Sequence, residues 1–124
     1  MNPKIIMILR LLLGAMMLLF GIDKFFQFLN VPPIPGDGGI LMEIYTRSGF
    51  LTILGVLETL AGIALLVNRF VPIALIVTIA ILFNATLIHL MYDPQNVIAA
   101  LLGMIIGIVL VFSDKERYGS LFSA

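Results

Sequence analysis

The sequence has no cysteine, one histidine and few charges: charged residues make up 11% of its 124 residues, seven acidic and seven basic, for a net charge of zero. Without cysteine there are no disulfides, no thiol redox chemistry and no Cys-ligated metal or iron–sulfur centre. Any electron transfer therefore needs a bound cofactor or a partner protein. The neutral balance gives no reason to expect nucleic acid, and no basic run marks a lipid-capturing segment. One histidine among scattered carboxylates is poor material for a metal site, so no metal is expected. No P-loop, Gly-rich dinucleotide fingerprint, histidine pair or serine–histidine arrangement occurs.

What is present is apolar. Hydrophobic residues reach 61% and mean hydropathy is +1.18, whereas soluble domains sit at about 45–50% apolar. This composition predicts a membrane protein. The chain, residues 1–124, has no length to spare for a second domain.

Four apolar runs predict an all-α, polytopic four-helix membrane bundle. The spans are expected at about residues 3–29, 48–67, 70–91 and 97–112. Lys4 ahead of the first run suggests a signal peptide. Arg10 inside the run, the missing cleavage site and the continuation into Phe25-Phe26-Gln27-Phe28-Leu29 argue for a retained helix. Its aromatic end marks the membrane boundary. Asn30–Gly39, with three prolines and three glycines, reads as a loop. Ile40–Arg47 then reads as a short interfacial helix, with Ile40, Leu41, Ile44 and Tyr45 on one side. Small residues repeat on three spans: Gly14 and Gly21 on the first, Gly55 and Gly62 on the second, Ala99, Gly103 and Gly107 on the fourth. Such faces let helix backbones approach closely. The last is expected to pack within the bundle, although a GxxxG face also suits a homo-oligomer.

The second span, Ser48–Val67, organises the chain because it places Glu58 near mid-membrane. A carboxylate there is costly unless it is paired, protonated or turned inward. Measured from boundaries at Ile5, Val67 and Phe70, Arg10 lies ~8 Å deep, Glu58 ~14 Å, Asn84 ~21 Å, and Lys24 and His89 ~28 Å. These depths predict an Arg10–Glu58 pair, since an arginine side chain covers the difference. Lys24 and His89 form an outer polar layer, with Asp23 or Asp93 as neighbours, and Asn84 lies between. Arg10, Lys24, Glu58, Asn84 and His89 are thus the candidate ligand-binding residues; no residue is assigned a catalytic role. The plainer readings stand beside this one. Glu58 could be only a clasp between helices, His89 an interfacial hydrogen-bonding group, and Lys24 a snorkelling side chain.

The order of these residues resembles the DoxX family of small bacterial membrane proteins. The match runs along most of the chain. It comprises Arg10 and Gly14, Gly21–Phe26 (GIDKFF), Ser48–Leu51 (SGFL), Gly55–Leu75 (GVLETLAGIALLVNRFVPIAL) and Asn84–Pro94 (NATLIHLMYDP). Gln27 stands where many relatives carry histidine. The resemblance implies a four-helix membrane bundle, linked in some relatives to quinone-dependent sulfur oxidation or oxidative-stress complexes. It points to the same five polar residues as a functional cluster.

The Lys and Arg distribution predicts a multi-pass protein of the bacterial cytoplasmic (inner) membrane with both termini in the cytoplasm. Lys4, Arg69, Lys115 and Arg117 fall on one side, against Lys24 and Arg47 on the other. Two functions follow from these expectations. One is a quinone- or lipid-binding accessory subunit that works with a soluble redox partner, where Glu58, Asn84 and His89 hold a quinone head and carry its protons. The other is a non-enzymatic bundle that binds a small ligand or scaffolds partner proteins.

Overall fold

The computed structural model describes residues 1–121 and Ser123. Among them there is no strand. Five α-helices follow in order: α1 (Pro3–Phe26), α2 (Gly36–Ser48), α3 (Phe50–Val67), α4 (Val71–Tyr92) and α5 (Ile98–Ser113). A 3-10 turn, Pro94–Asn96, joins α4 to α5, and a 3-10 helix, Lys115–Leu121, closes the described chain. The molecule is an all-α membrane bundle of α1, α3, α4 and α5, with α2 packed across one end. Helices α1, α3 and α4 are each long and apolar enough to cross a bilayer. Helix α5 has 16 residues, or ~24 Å of rise, less than the ~30 Å hydrocarbon core. The chain bends by 95° between α5 and Lys115–Leu121, and the two pass as a span only if taken together.

Local sequence explains the helix boundaries. Asn2 accepts a hydrogen bond from the Lys4 N–H at 2.8 Å, and Pro3 occupies the first turn, where its missing donor does no harm. Helix α1 stops at Phe26, three residues before the expected end, because Gln27 adopts a left-handed conformation and donates its N–H to the Asp23 carbonyl at 2.7 Å. The α3–α4 turn uses the same device: Asn68 and Phe70 have φ of 59° and 56°, and Pro72 follows within the first turn of α4.

The loop after α1 is shorter than expected, and Ser48, expected to open the second span, closes α2 instead. The loop predicted to run to Gly39 ends at Pro35, and Gly36–Gly39 form the first turn of α2. Pro35 precedes the helix without breaking it, and Asp37 sits in the first turn, where the helix dipole favours an acid. Gly38 is buried, and a Cβ there would strike Ile34 and lie 2.6 Å from the Cβ of Tyr92. The glycine run therefore brings α2 against the end of α4.

The core is apolar and small-residue rich: Leu13 and Met17 of α1, Ala61 and Leu65 of α3, Leu75 and Leu82 of α4, and Leu110 of α5. Side chains such as Leu12, Ile53, Leu60, Ile73, Phe83 and Leu102 face outward on all four helices. In water such a surface would be prohibitive, and in a bilayer it is the solvent-matched face.

Candidate functional site

Helices α1 and α3 make the closest crossing in the bundle, and their glycines set its register. A Cβ on Gly21 would lie 2.6 Å from the Thr59 backbone nitrogen, and one on Gly62 would lie 2.6 Å from that of Leu18. The two helices are therefore in backbone contact, as the facing glycines predict. On this register Lys24 stands beside Gly55, where an added Cβ would come within 3.1 Å of the lysine Cβ. Glu58 is one turn further along α3, about 5 Å away. The lysine stem covers that turn and places Nζ 2.8 Å from Oε1 and 2.9 Å from Oε2 of Glu58.

This Lys24–Glu58 bridge corrects the expected Arg10–Glu58 pair. Arg10 donates instead to the Leu65 backbone carbonyl. Lys24 and Arg10 are 14 positions apart on one helix, which is ~21 Å, so one carboxylate cannot serve both. The depth estimate failed because it set Ile5 level with Val67. The glycine register places Gly14 against Gly62 and Leu65, so α1 extends about two turns beyond the end of α3.

The bridge is unevenly buried. The Glu58 side chain is 5% exposed and that of Lys24 is 21% exposed. The carboxylate is enclosed by the crossing, while the ammonium lies nearer the end of α1 and closer to water. Thr59, beside it, donates its hydroxyl to the Gly55 carbonyl at 2.7 Å.

A second polar group occupies the same end of the bundle. His89 lies in the last turn of α4, and its Nδ1 is 3.4 Å from Oδ2 of Asp93. Asp93 is buried and accepts from the Asn96 amide at 2.9 and 3.0 Å. Of the two acids expected beside the outer layer, Asp93 takes that place with His89. Asp23 accepts from the Leu29 N–H at 2.8 Å and closes the end of α1. Asp93 and Asn96 are the residues that sequence reasoning did not select for the site. The signal was the i, i+4 spacing of His89 and Asp93 on one helix face, ahead of an Asp-Pro-Gln-Asn turn. Asn84 is half-buried, five residues or about one and a half turns before His89 in α4. Thr78, deeper on the same helix, is fully buried with no hydrogen-bond partner for its hydroxyl.

The five predicted residues therefore separate into two ends. Lys24, Glu58, Asn84 and His89 belong to the half of the bundle that carries α2. Arg10 belongs to the half that carries the α3–α4 turn and the end of α5. Arg10 lines a half-open cavity there of ≈ 370 Å³, together with Asn68, Ser113, Asp114, Arg117 and Tyr118. Tyr118 is buried, and burial pushes its hydroxyl above the usual tyrosine value, with Arg117 pulling it partly back. A second groove, ≈ 420 Å³, runs between α3 and α4 and is almost wholly apolar, lined by residues such as Leu60, Ala64, Ile73 and Val77. Neither of these two cavities reaches Glu58. Among the described residues no group of three His, Asp or Glu side chains is placed to hold a metal ion.

Fold and site together define a helical membrane bundle with one buried ion pair at its tightest crossing. No family model, curated protein or solved structure matches the chain.

Proposed function

We propose that the chain is a DoxX-like integral protein of the bacterial cytoplasmic membrane that binds a quinone, or a lipid of similar polarity, as the accessory subunit of a soluble redox partner. The binding end is the one that carries Lys24, Glu58, Asn84 and His89, and Arg10 has no part in it. The observation that carries this reading is the Lys24–Glu58 bridge, a buried ion pair inside an apolar helix crossing. Ionisable groups at such depth are expensive and typically mark a ligand or proton path. A quinone carbonyl accepts hydrogen bonds, and the Lys24 ammonium, the Asn84 amide and the imidazole of His89 are donors at that end. Glu58 and His89 are chemically able to take up and release the protons of quinone reduction. The electrons must come from the partner.

The orientation belongs to the same proposal. The half of the bundle with the start of α1 and the end of α5 carries Lys4, Arg10, Arg69, Lys115 and Arg117, while the other carries Lys24 and Arg47. The positive-inside bias puts the first half in the cytoplasm and the quinone-binding end on the opposite face. The test is purification in mild detergent, followed by ultraviolet difference spectra on reduction. An absorbance change that tracks the protein supports quinone binding, and its absence from folded, lipid-replete protein refutes it.

One observation favours the second reading, a non-enzymatic ligand-binding or scaffold bundle. Glu58 already has its counter-ion, and neither cavity opens onto it. On that reading the bridge is a clasp. A soluble redox enzyme that co-purifies without bound quinone would support scaffolding.

A further inference from the structure

The half-open cavity at the terminal end of the bundle is not used by the reading above. Its polar groups come from four places in the chain. Arg10 reaches it from α1, Asn68 from the α3–α4 turn, Ser113 and Asp114 from the end of α5, and Arg117 and Tyr118 from the closing 3-10 helix. No basic run exists in the sequence, but the 95° bend after α5 brings Arg117 to the cavity that Arg10 lines.

The charges here are unequal. Arg117 has Asp114 as a neighbour at 3.4 Å. Among the described residues Arg10 makes no ion pair, and it donates a hydrogen bond to the Leu65 carbonyl. A guanidinium carries five N–H donors, so most of its donors are free to meet a ligand. The cavity therefore has one uncompensated positive charge, on a half-buried Arg10 level with the α3–α4 turn, against apolar walls from α1, α4 and α5. A guanidinium held between apolar walls gains from an anion that completes its donors. Arginine matches phosphate oxygens with two parallel N–H donors. The Tyr118 hydroxyl, protonated at neutral pH as any tyrosine is, lines the same cavity and is a further donor.

We propose that this cavity binds a phosphate-bearing anion, supplied by the headgroup of an anionic phospholipid. A phosphodiester carries one negative charge, which matches the single excess positive charge. The half-open, apolar-walled site at a bundle end lets the acyl chains remain outside in the bilayer. Basic pockets between helices on the cytoplasmic side suit such headgroups. Asp114 acts against the ligand, so it sets the affinity rather than supplying it.

The test uses the full chain, delipidated in dodecyl maltoside, and follows thermal unfolding during titration with dioleoyl-phosphatidylglycerol. Dioleoyl-phosphatidylcholine and inorganic phosphate are titrated in parallel. The melting temperature should rise with phosphatidylglycerol and change little with the zwitterionic lipid. Arg10→Gln should weaken apparent affinity about tenfold or more, the loss of a charge-assisted hydrogen bond. If that variant fails to fold, Arg117→Gln, which lies outside the packed helices, should also weaken binding. Asp114→Asn should strengthen it, a change that a purely structural role for these residues does not produce. Protection by inorganic phosphate at the same site, lost in Arg10→Gln or Arg117→Gln, supports the phosphate chemistry and assigns it to a soluble source. Equal protection by both lipids, or protection unchanged in the variants, overturns the proposal.

Discussion

Removing Lys24 should cost more than removing Glu58, although they are two halves of one bridge. The Lys24→Met substitution keeps the apolar stem but leaves the Glu58 carboxylate, 5% exposed, without a counter-ion. Breaking a buried pair from one side costs about 3–5 kcal/mol. Protonation sets a ceiling: neutralising an ordinary glutamate at pH 7 spans about 2.7 pH units at ~1.36 kcal/mol each, or ~3.7 kcal/mol. Glu58→Met leaves Lys24, which is 21% exposed and close to the end of α1, so it can turn outward to water at about 1 kcal/mol. The double variant leaves no charge and fills the crossing with apolar atoms, which should restore stability to near the wild-type level. The assay is reversible unfolding in mixed micelles, read by helical ellipticity, for wild type, both singles and the double. If Lys24→Met costs under ~1 kcal/mol, or if the two single losses simply add in the double, the bridge is not a buried coupled pair.

Other predictions concern packing, topology and pH. Gly62→Ala should destabilise more than Gly103→Ala. The first Cβ meets the Leu18 backbone, while the second meets the movable side-chain ends of Met16 and Leu82; equal losses in thermal unfolding would contradict the backbone contact. The proposed orientation predicts that an impermeant maleimide added outside labels Asp37→Cys and spares Ser123→Cys, and the reverse pattern would invert it. Tyr118 predicts a loss of stability at high pH. Its value is raised in the folded state, so the unfolded chain ionises first, and stability falls as pH climbs from about 10, the free tyrosine value. Tyr118→Phe should remove that component, and an unchanged pH profile would show that Tyr118 does not contribute.

Much of the fold is legible because its signals are local. The apolar runs placed the four bundle helices within a few residues, and Asn68 and Pro72 mark the α3–α4 boundary, whereas the stop at Gln27 was not legible. The glycines at 14, 21, 55 and 62 also foretold that α1 and α3 would be in contact. The intrachain packing expected of the Ala99/Gly103/Gly107 face holds for Gly103 and Gly107, against Met16, Leu82 and Ile79, but Ala99 is exposed and Ala100 takes the buried position. Which polar groups meet was not legible, because that depends on axial register. Register follows from which glycine opposes which backbone atom, as Gly21 opposes Thr59, and not from where an apolar run begins. A shift of two turns was enough to exchange Arg10 for Lys24 as the partner of Glu58. Asp93 was visible only as one of two neighbours, with Asp23, since its pairing with Asn96 depends on the turn after α4.

Binding of a water-soluble short-chain ubiquinone to the purified protein and to Glu58→Gln, with folding followed by helical ellipticity in the same samples, tests the functional reading most directly. The amide keeps the shape of Glu58 and removes its charge. The variant should stay folded and lose quinone binding, and His89→Ala should weaken binding without unfolding the bundle. Full binding by folded Glu58→Gln would contradict it and leave the bridge as a clasp between α1 and α3.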